Sequence, residues 1–259
     1  DPRNNPDYDR HVEEHYAVMC RKGVTPTYSR RVMTARTTQI AAVMVRCGDA
    51  DAMICGVEGN FISHLHYVRD LIGARPGLTD VAAVTMLILK QGTYFLTDTH
   101  VGDDPTAEQL ADNTALAAEL VAGFGMEPKA ALLSHSNFGS RMNVHSAKMR
   151  RTLEILREKH PDLLVEGEMH ADAALSQDIR DRMFKGCAFE GEANLLVCPD
   201  LNSANIAYNM TKTLADGLPV GPMLVGTKYP AHILTESTTV RGIVNMAAFA
   251  SVEAMSRKA

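Results

Sequence analysis

Apolar and polar positions alternate along this chain in blocks that switch between a helical and a strand period. Segments near 9–22 and 27–46 repeat at helical spacing. The apolar run at 51–57 predicts a short buried strand, and 61–73 a helix that Gly73 and the Ala-Arg-Pro-Gly turn close. Segments 81–89 and 93–97 flank Gln91-Gly92 and predict a hairpin. Asp104 followed by Pro105 predicts a capped helix in which Leu110, Ala117, Val121 and Phe124 recur, with Gly125 as its stop. Further strands are expected at 130–133, 163–166, 194–198 and 223–225. Helices are expected at 144–159, 176–184, 202–216 (ended by Gly217) and 239–256. Strand and helix alternating at this spacing predict parallel βαβ units in a three-layer α/β/α architecture with mostly parallel sheets. The chain opens on a polar coil and two helices instead of a strand, so it reads as a piece of a longer polypeptide.

Composition changes this picture little. The 259 residues are 46% apolar and 22% charged, which suits a globular protein with real cores. A net charge of −5 argues against a nucleic-acid surface and permits local anion sites. No apolar run approaches the roughly 18 residues of a membrane span, and the opening DPRNNPDYDR is no signal peptide. Five cysteines (Cys20, Cys47, Cys55, Cys187, Cys198) without CxxC spacing read as free thiols in a reducing cytoplasm.

Several chemical constellations fail on inspection. His64 and His66 stand two apart on a helix and do not share a face, so no metal site is expected there. Ser134-His135-Ser136 lacks the GxSxG nucleophile elbow, and GxGxxG is absent. His170 and Asp172 read as structural hydrogen-bonding residues. Glu58 and Asn60 follow a strand and either line a cleft or cap the next helix.

The segment 129–141, KAALLSHSNFGSR, carries the most information. A buried strand breaks abruptly into Ser134, Ser136, Asn137, Gly139 and Ser140, which is how open α/β sheets build ligand loops at their carboxyl edge. Small hydroxyls and backbone N–H groups here can hold phosphate or pantetheine amides, and the following helix start favours anions. Arg141, Lys148, Arg150 and Arg151 form a basic cluster that either meets nucleotide phosphates or is a solvated helix face.

This loop resembles the SxSxxGS loop of the phosphate acetyltransferases (phosphotransacetylases), and the resemblance extends over nearly the whole chain. GDADAMICGV (48–57), DDPTAEQLAD (103–112), GMEPKAALLSHSNFGS (125–140), GEMHADAAL (167–175), NLLVCPDLNSANIAYNM (194–210) and GPMLVGTKYPAHIL (221–234) follow in the family's order. The chain is most similar to the carboxyl-terminal phosphotransacetylase-like region of large bacterial NADP-dependent malic enzymes. The resemblance implies two subdomains flanking a cleft, as in phosphotransacetylases and isocitrate dehydrogenases. Residues 1–77 with 226–259 would form an amino-terminally incomplete first subdomain, and 78–225 the second.

The resemblance also implies where the chemistry has changed. The family's arginine after the DAD strand is His66 here, and its Ser-Arg pair reads Thr235-Glu236. Its aspartate six residues further on is Gly242, and a cysteine common after the YxxxD strand is Thr99. A carboxylate at 236 opposes phosphate, so no catalytic residue is expected. The implied binding set for acetyl-CoA is Ser134, Ser136, Asn137, Phe138, Gly139, Ser140 and Arg141, with Asn60, His66, Thr99, Lys228 and Thr235. The resemblance thus implies a cytoplasmic, non-catalytic domain that binds acetyl-CoA as an inhibitory effector, with no metal of its own. It would oligomerise with itself and serve malic enzyme catalytic domains of the same polypeptide, which would use NADP and a divalent metal. The alternatives are an active phosphate acetyltransferase and a purely structural dimerisation domain.

Overall fold

The computed structural model describes residues 4–257. They divide into two compact units, one built from the segment up to Val81 with the segment from Gly226 onward, the other from Ala82–Val225.

The first unit holds α1 (Tyr8–Met19), a 3-10 turn (Cys20–Lys22), α2 (Pro26–Ala35), α3 (Thr37–Arg46), β1 (Met53–Gly56), α4 (Phe61–Leu71), β8 (Ala231–Leu234) and α10 (Val240–Ser256). The helix expected over 27–46 is two helices. Arg36 lies between them in extended backbone (φ −111°, ψ 90°), followed by Thr37 and Thr38, whose branched side chains favour a break. Buried His15 ties the first three helices together, meeting Ser29 Oγ at 2.9 Å and Gln39 Oε1 at 3.0 Å. Strands β1 and β8 pair in parallel from Met53↔Ala231 to Gly56↔Leu234. A Cβ on Gly56 would lie 2.1 Å from the Leu234 carbonyl oxygen, so the approach of the two strands requires glycine.

The second unit is a six-stranded sheet in the order β5-β4-β6-β3-β2-β7. Its strands are β2 (Ala82–Ile88), β3 (Thr93–Thr97), β4 (Lys129–Leu133), β5 (Leu164–Met169), β6 (Leu195–Val197) and β7 (Leu218–Val225). The hairpin β2–β3 is antiparallel, as is β2–β7, whereas β3, β6, β4 and β5 all run parallel. Between Val220 and Met223, β7 carries one extra residue against β2, and Pro222 is tolerated at this bulge. Helices α5 (Ala107–Gly123) and α6 (Val144–Lys159) pack together against the sheet. Around α7 (Ala171–Ala174), α8 (Gln177–Met183) and α9 (Leu201–Leu214), a second core joins Leu96, Ala131, Leu133, Met169, Ala173, Leu196 and Ala204. The sheet therefore lies between helical layers, as the alternation implied.

Two boundaries differ from expectation. Helix α5 is capped by Thr106 and not by Asp104. Thr106 and Gln109 form a reciprocal capping box, while the Asp104 carboxylate is taken by Lys148 Nζ at 2.6 Å. Strand β5 continues to Met169, beyond the expected end at 166, because Glu166 and Glu168 are accommodated inside by arginines. No helix among the described residues is long and apolar enough to cross a membrane.

Arg180 is fully buried, with no carboxylate partner among the described residues. Its guanidinium donates to the carbonyls of Ala173 (3.0 Å), Gly191 (2.7 Å) and Phe189 (3.4 Å), and stacks over the Phe189 ring at 4.8 Å. These bonds fix the irregular segment between α8 and β6. Arg180→Met keeps the volume but leaves three carbonyls unsatisfied, so we expect a loss of about 3 kcal/mol in urea unfolding followed by circular dichroism. A loss below about 1 kcal/mol would show that the segment holds itself.

Candidate functional site

Because β3, β4, β5 and β6 run in the same direction, their carboxyl ends share one edge of the sheet. The serine loop after β4 therefore lies beside the end of β5, on the same edge as the turn after β3 and the start of α9. Its shape rests on Glu168 of β5. Glu168 Oε1 accepts from Ser136 Oγ at 2.7 Å, from the Gly139 N–H at 3.0 Å and from Arg150 Nη1 at 2.9 Å. The Phe138 N–H bonds the Glu168 carbonyl at 2.8 Å, and the Ser134 N–H bonds that of Met169 at 2.8 Å. Gly139 has φ +84°, which a glycine adopts without strain.

Inside the loop, small side chains bond the backbone. Ser136 Oγ accepts from the Arg141 N–H at 3.0 Å, Ser140 Oγ from Asn137 N–H at 2.9 Å, and Asn137 Oδ1 from His170 N–H at 2.7 Å. His170 Nε2 lies 2.9 Å from the His135 carbonyl, a structural use of that histidine. Ser136 is buried, Ser134, Asn137 and Phe138 are half-buried, and Gly139, Ser140 and Arg141 are exposed. Phe138 stacks on Phe184, with ring centroids 4.5 Å apart. The loop thus offers a ligand its outer groups, and Ser136 supports it from within.

The basic cluster is mostly spoken for. Lys148 pairs with Asp104 at 2.6 Å, Arg150 with Glu168 at 2.9 Å and Arg151 with Glu154 at 2.9 Å. Of the four, Arg141 is the exposed cation outside these pairs.

The turn after β3 holds Thr99, fully buried, with its hydroxyl 2.8 Å from both Thr85 Oγ1 and His100 Nδ1. Neighbouring Asp98 accepts the N–H groups of His100 (3.0 Å), Val101 (3.1 Å) and Gly102 (3.0 Å). Burial outweighs these bonds and pushes the Asp98 carboxyl up to about 6. Burial, helped by Lys212, pulls His100 down to about 4.

The remaining candidates belong to the first unit. Asn60 caps α4, its Oδ1 accepting the Ile62 N–H at 2.8 Å, while His66 is exposed on the same helix. His64, its former HxH partner, is committed to Thr38 Oγ1 (2.8 Å) and the Glu58 carbonyl (2.9 Å). Lys228 is exposed, with Nζ 5.4 Å from the Tyr229 ring centre. Thr235 Oγ1 meets Ser237 Oγ at 3.1 Å and Thr238 Oγ1 at 3.3 Å; Glu236 is exposed. Gly242 sits in the first turn of α10, its N–H bonded to Thr239 Oγ1 at 3.1 Å. His11, Cys47 and Asp49 come together elsewhere, but Asp49 already pairs with His11 and Arg10, both at 2.6 Å. Burial pushes the Cys55 and Cys198 thiols up to about 12, which keeps both inert.

Sequence reasoning missed Glu168 and Asp98. Both stand at strand ends inside blocks already read for the resemblance, Glu168 in GEMHADAAL and Asp98 closing the YxxxD strand, which was the signal available. Asp98 and His100 also set opposing pH slopes. Between pH 3.8 and about 6 the folded chain holds a proton on Asp98 that the unfolded chain has released, so this group's stabilisation falls as pH rises. Between about 4 and 6.5 the unfolded chain binds a proton that folded His100 refuses, so stability rises with pH. Asp98→Asn should therefore gain on the parent chain as pH rises from 4 to 6.5, by up to about 3 kcal/mol, and His100→Asn should lose ground over the same range. Urea titrations at several pH values check both signs, and parallel curves would reject the pair.

A family model for phosphate acetyl/butaryl transferase matches residues 1–251. The chain is 48% identical to an NAD-dependent malic enzyme of Rhizobium meliloti and 45% identical to an NADP-dependent malic enzyme of Salmonella typhimurium, in each case over 97% of its own length and 33% of theirs. Among solved structures, a phosphotransacetylase from Streptococcus pyogenes superposes with a TM-score of 0.92 at 28% identity, covering 98% of this chain and 78% of that one. The chain spans about a third of the malic enzymes it matches. By its sequence, its sheet order and the serine loop at the carboxyl edge, the chain belongs to the phosphate acetyl/butaryl transferase family.

Proposed function

We propose that this chain is a non-catalytic regulatory and oligomerisation domain of a cytoplasmic malic enzyme, with acetyl-CoA as its inhibitory effector. The observation that carries the reading is the match to one third of the length of malic enzymes at 48% and 45% identity. Those two relatives carry NAD- and NADP-dependent names, so we assign the nucleotide and the divalent metal to catalytic domains outside this chain; NADP is our choice between the two.

Acetyl transfer to phosphate needs cationic donors for phosphate and for the developing oxyanion. The chain instead puts an exposed carboxylate at Glu236, an imidazole at His66 and no side chain at Gly242. A carboxylate grafted at 242 meets a steric obstacle as well, since its Cβ would lie 2.9 Å from the Thr238 methyl group. Binding of acetyl-CoA asks for less. Its pantetheine amides would lie along the outer groups of 134–140, and its phosphates would reach Arg141. Ser136 and Thr99 act from beneath, holding the loop and the turn without facing the ligand.

Oligomerisation is supported by two apolar faces. Ile206, Met210 and Leu214 form an exposed i, i+4, i+8 stripe on α9, and Val240, Val244, Val252 and Met255 are exposed on α10. A two-fold, self-complementary contact is the commonest way to cover such faces. Regulation then follows if acetyl-CoA favours one of two arrangements of the assembly, and the coupling to malate must be reciprocal.

Titration of the whole protein with acetyl-CoA by calorimetry tests the reading. We expect saturable binding, no CoA release from acetyl-CoA with phosphate, and a loss of affinity of about tenfold or more in Arg141→Glu (~1.4 kcal/mol). Turnover by the unaltered chain would restore the acetyltransferase reading, and absence of binding would leave a structural dimerisation domain. A monomer in sedimentation at micromolar concentration would reject the oligomerisation role.

A further inference from the structure

The chain leaves the serine loop through Met142, one residue beyond Arg141 and two before α6 begins at Val144. Methionine is commonly buried, yet Met142 is 79% exposed, more than any other of the 14 methionines; Met255 follows at 63%. Its sulfur is nonetheless engaged. Arg150, two turns along α6, donates from Nη2 to Met142 Sδ at 3.3 Å. The same guanidinium donates from Nη1 to Glu168 Oε1 at 2.9 Å, beneath the loop. One cation thus joins the buried anchor of the loop to a polarisable, solvent-facing sulfur at its exit. A thioether is a weak acceptor, so the outer of these two bonds is the slack one.

We infer that Met142 is an oxidation site for small hydroperoxides, and that its sulfoxide clamps Arg150 and stiffens the serine loop. The sulfur lone pair attacks the terminal peroxide oxygen, and the S–O bond forms as the O–O bond breaks. The departing oxygen keeps the electron pair and takes the proton of the attacked one, leaving as water from hydrogen peroxide or as an alcohol from an alkyl hydroperoxide. Sulfur is oxidised by two electrons and the peroxide is reduced by two. A guanidinium 3.3 Å from the sulfur favours the negative charge that develops on the departing oxygen. The product carries a strong oxygen acceptor where a weak sulfur one stood, facing a cation. Arg150 meets Glu168 and Met142 through different nitrogens, so the new bond tightens the outer contact without displacing the inner one. Met142 is the partner that yields, being exposed, whereas Arg150 is held from below by a buried carboxylate. The loop is then fastened at its base and at its exit. This inference holds whether or not acetyl-CoA is the effector, since it concerns the mobility of the loop alone.

Graded hydrogen peroxide on the whole protein, with peptide mass mapping and with hydrogen exchange over 134–142 before and after, tests it. Met142 should gain one oxygen ahead of Met183, Met210 and Met255, while buried Met149 and Met169 stay unmodified. Exchange across 134–142 should then slow by about threefold to tenfold, as one hydrogen bond to a charged group allows. Enzymatic reduction of the sulfoxide should restore the original rate. Met142→Leu keeps an apolar side chain at an exposed position, so folding is not at stake, and the same peroxide treatment should leave its loop exchange unchanged. Oxidation of Met142 no faster than that of Met183 overturns the inference, because the sulfur is then neither open nor activated. So does a loop that exchanges at the same rate or faster once Met142 is oxidised, one that slows equally in Met142→Leu, or a slowing that reduction does not reverse.

Discussion

The carboxyl edge of the large sheet depends on where one carboxylate oxygen sits. A run such as Ser134 to Ser140 has almost no apolar surface with which to pack, apart from Phe138, and its glycine takes a left-handed turn. Inward-pointing donors repel one another unless an acceptor stands at their focus. Glu168 Oε1 provides that focus, and the Glu168 carbonyl binds the next residue of the loop. Side chain and backbone of one strand residue thereby fix both flanks of the turn, and Arg150 offsets the cost of burying the charge. Asp98 does the same for the turn after β3, gathering three consecutive N–H groups. The edge is thus organised by acids held inside the fold, and the cations that remain outside are few.

The donors of the second unit are satisfied internally. In the first unit, Thr235, Ser237 and Thr238 form a small neutral hydroxyl cluster beside exposed Glu236. Nothing in this cluster is positively charged. Lys148, Arg150 and Arg151 look like a phosphate patch when read as a string, but each is directed to a carboxylate.

Where the sequence pattern succeeded, local chemistry and tertiary demand agreed. The helix over Val144–Lys159 begins with Asn143 as its cap, and the hairpin around Gln91-Gly92 joins strands in direct antiparallel register. Where it failed, the deciding contact was remote. Asp104 is a good cap by composition, but Lys148, 44 residues away, holds its carboxylate, and Thr106 caps instead. The four residues of β8 are too short to announce a strand, and they form one because β1, far earlier in the chain, lies alongside. The break at Arg36 passed unnoticed because helical spacing continues on both sides of it.

The sequence by itself determined the alternation of strands and helices, the family and the serine loop, because each is written in residue type and spacing. The tertiary structure alone decided which of these groups are available. Ser136 and Thr99 turn inward, three of four basic residues are neutralised, and Glu168 and Asp98 emerge as organising acids. Pattern reports what a residue can do; availability is a matter of which donor has already found its acceptor, and parallel strands bring partners such as Ser136 and Glu168 together from 32 residues apart.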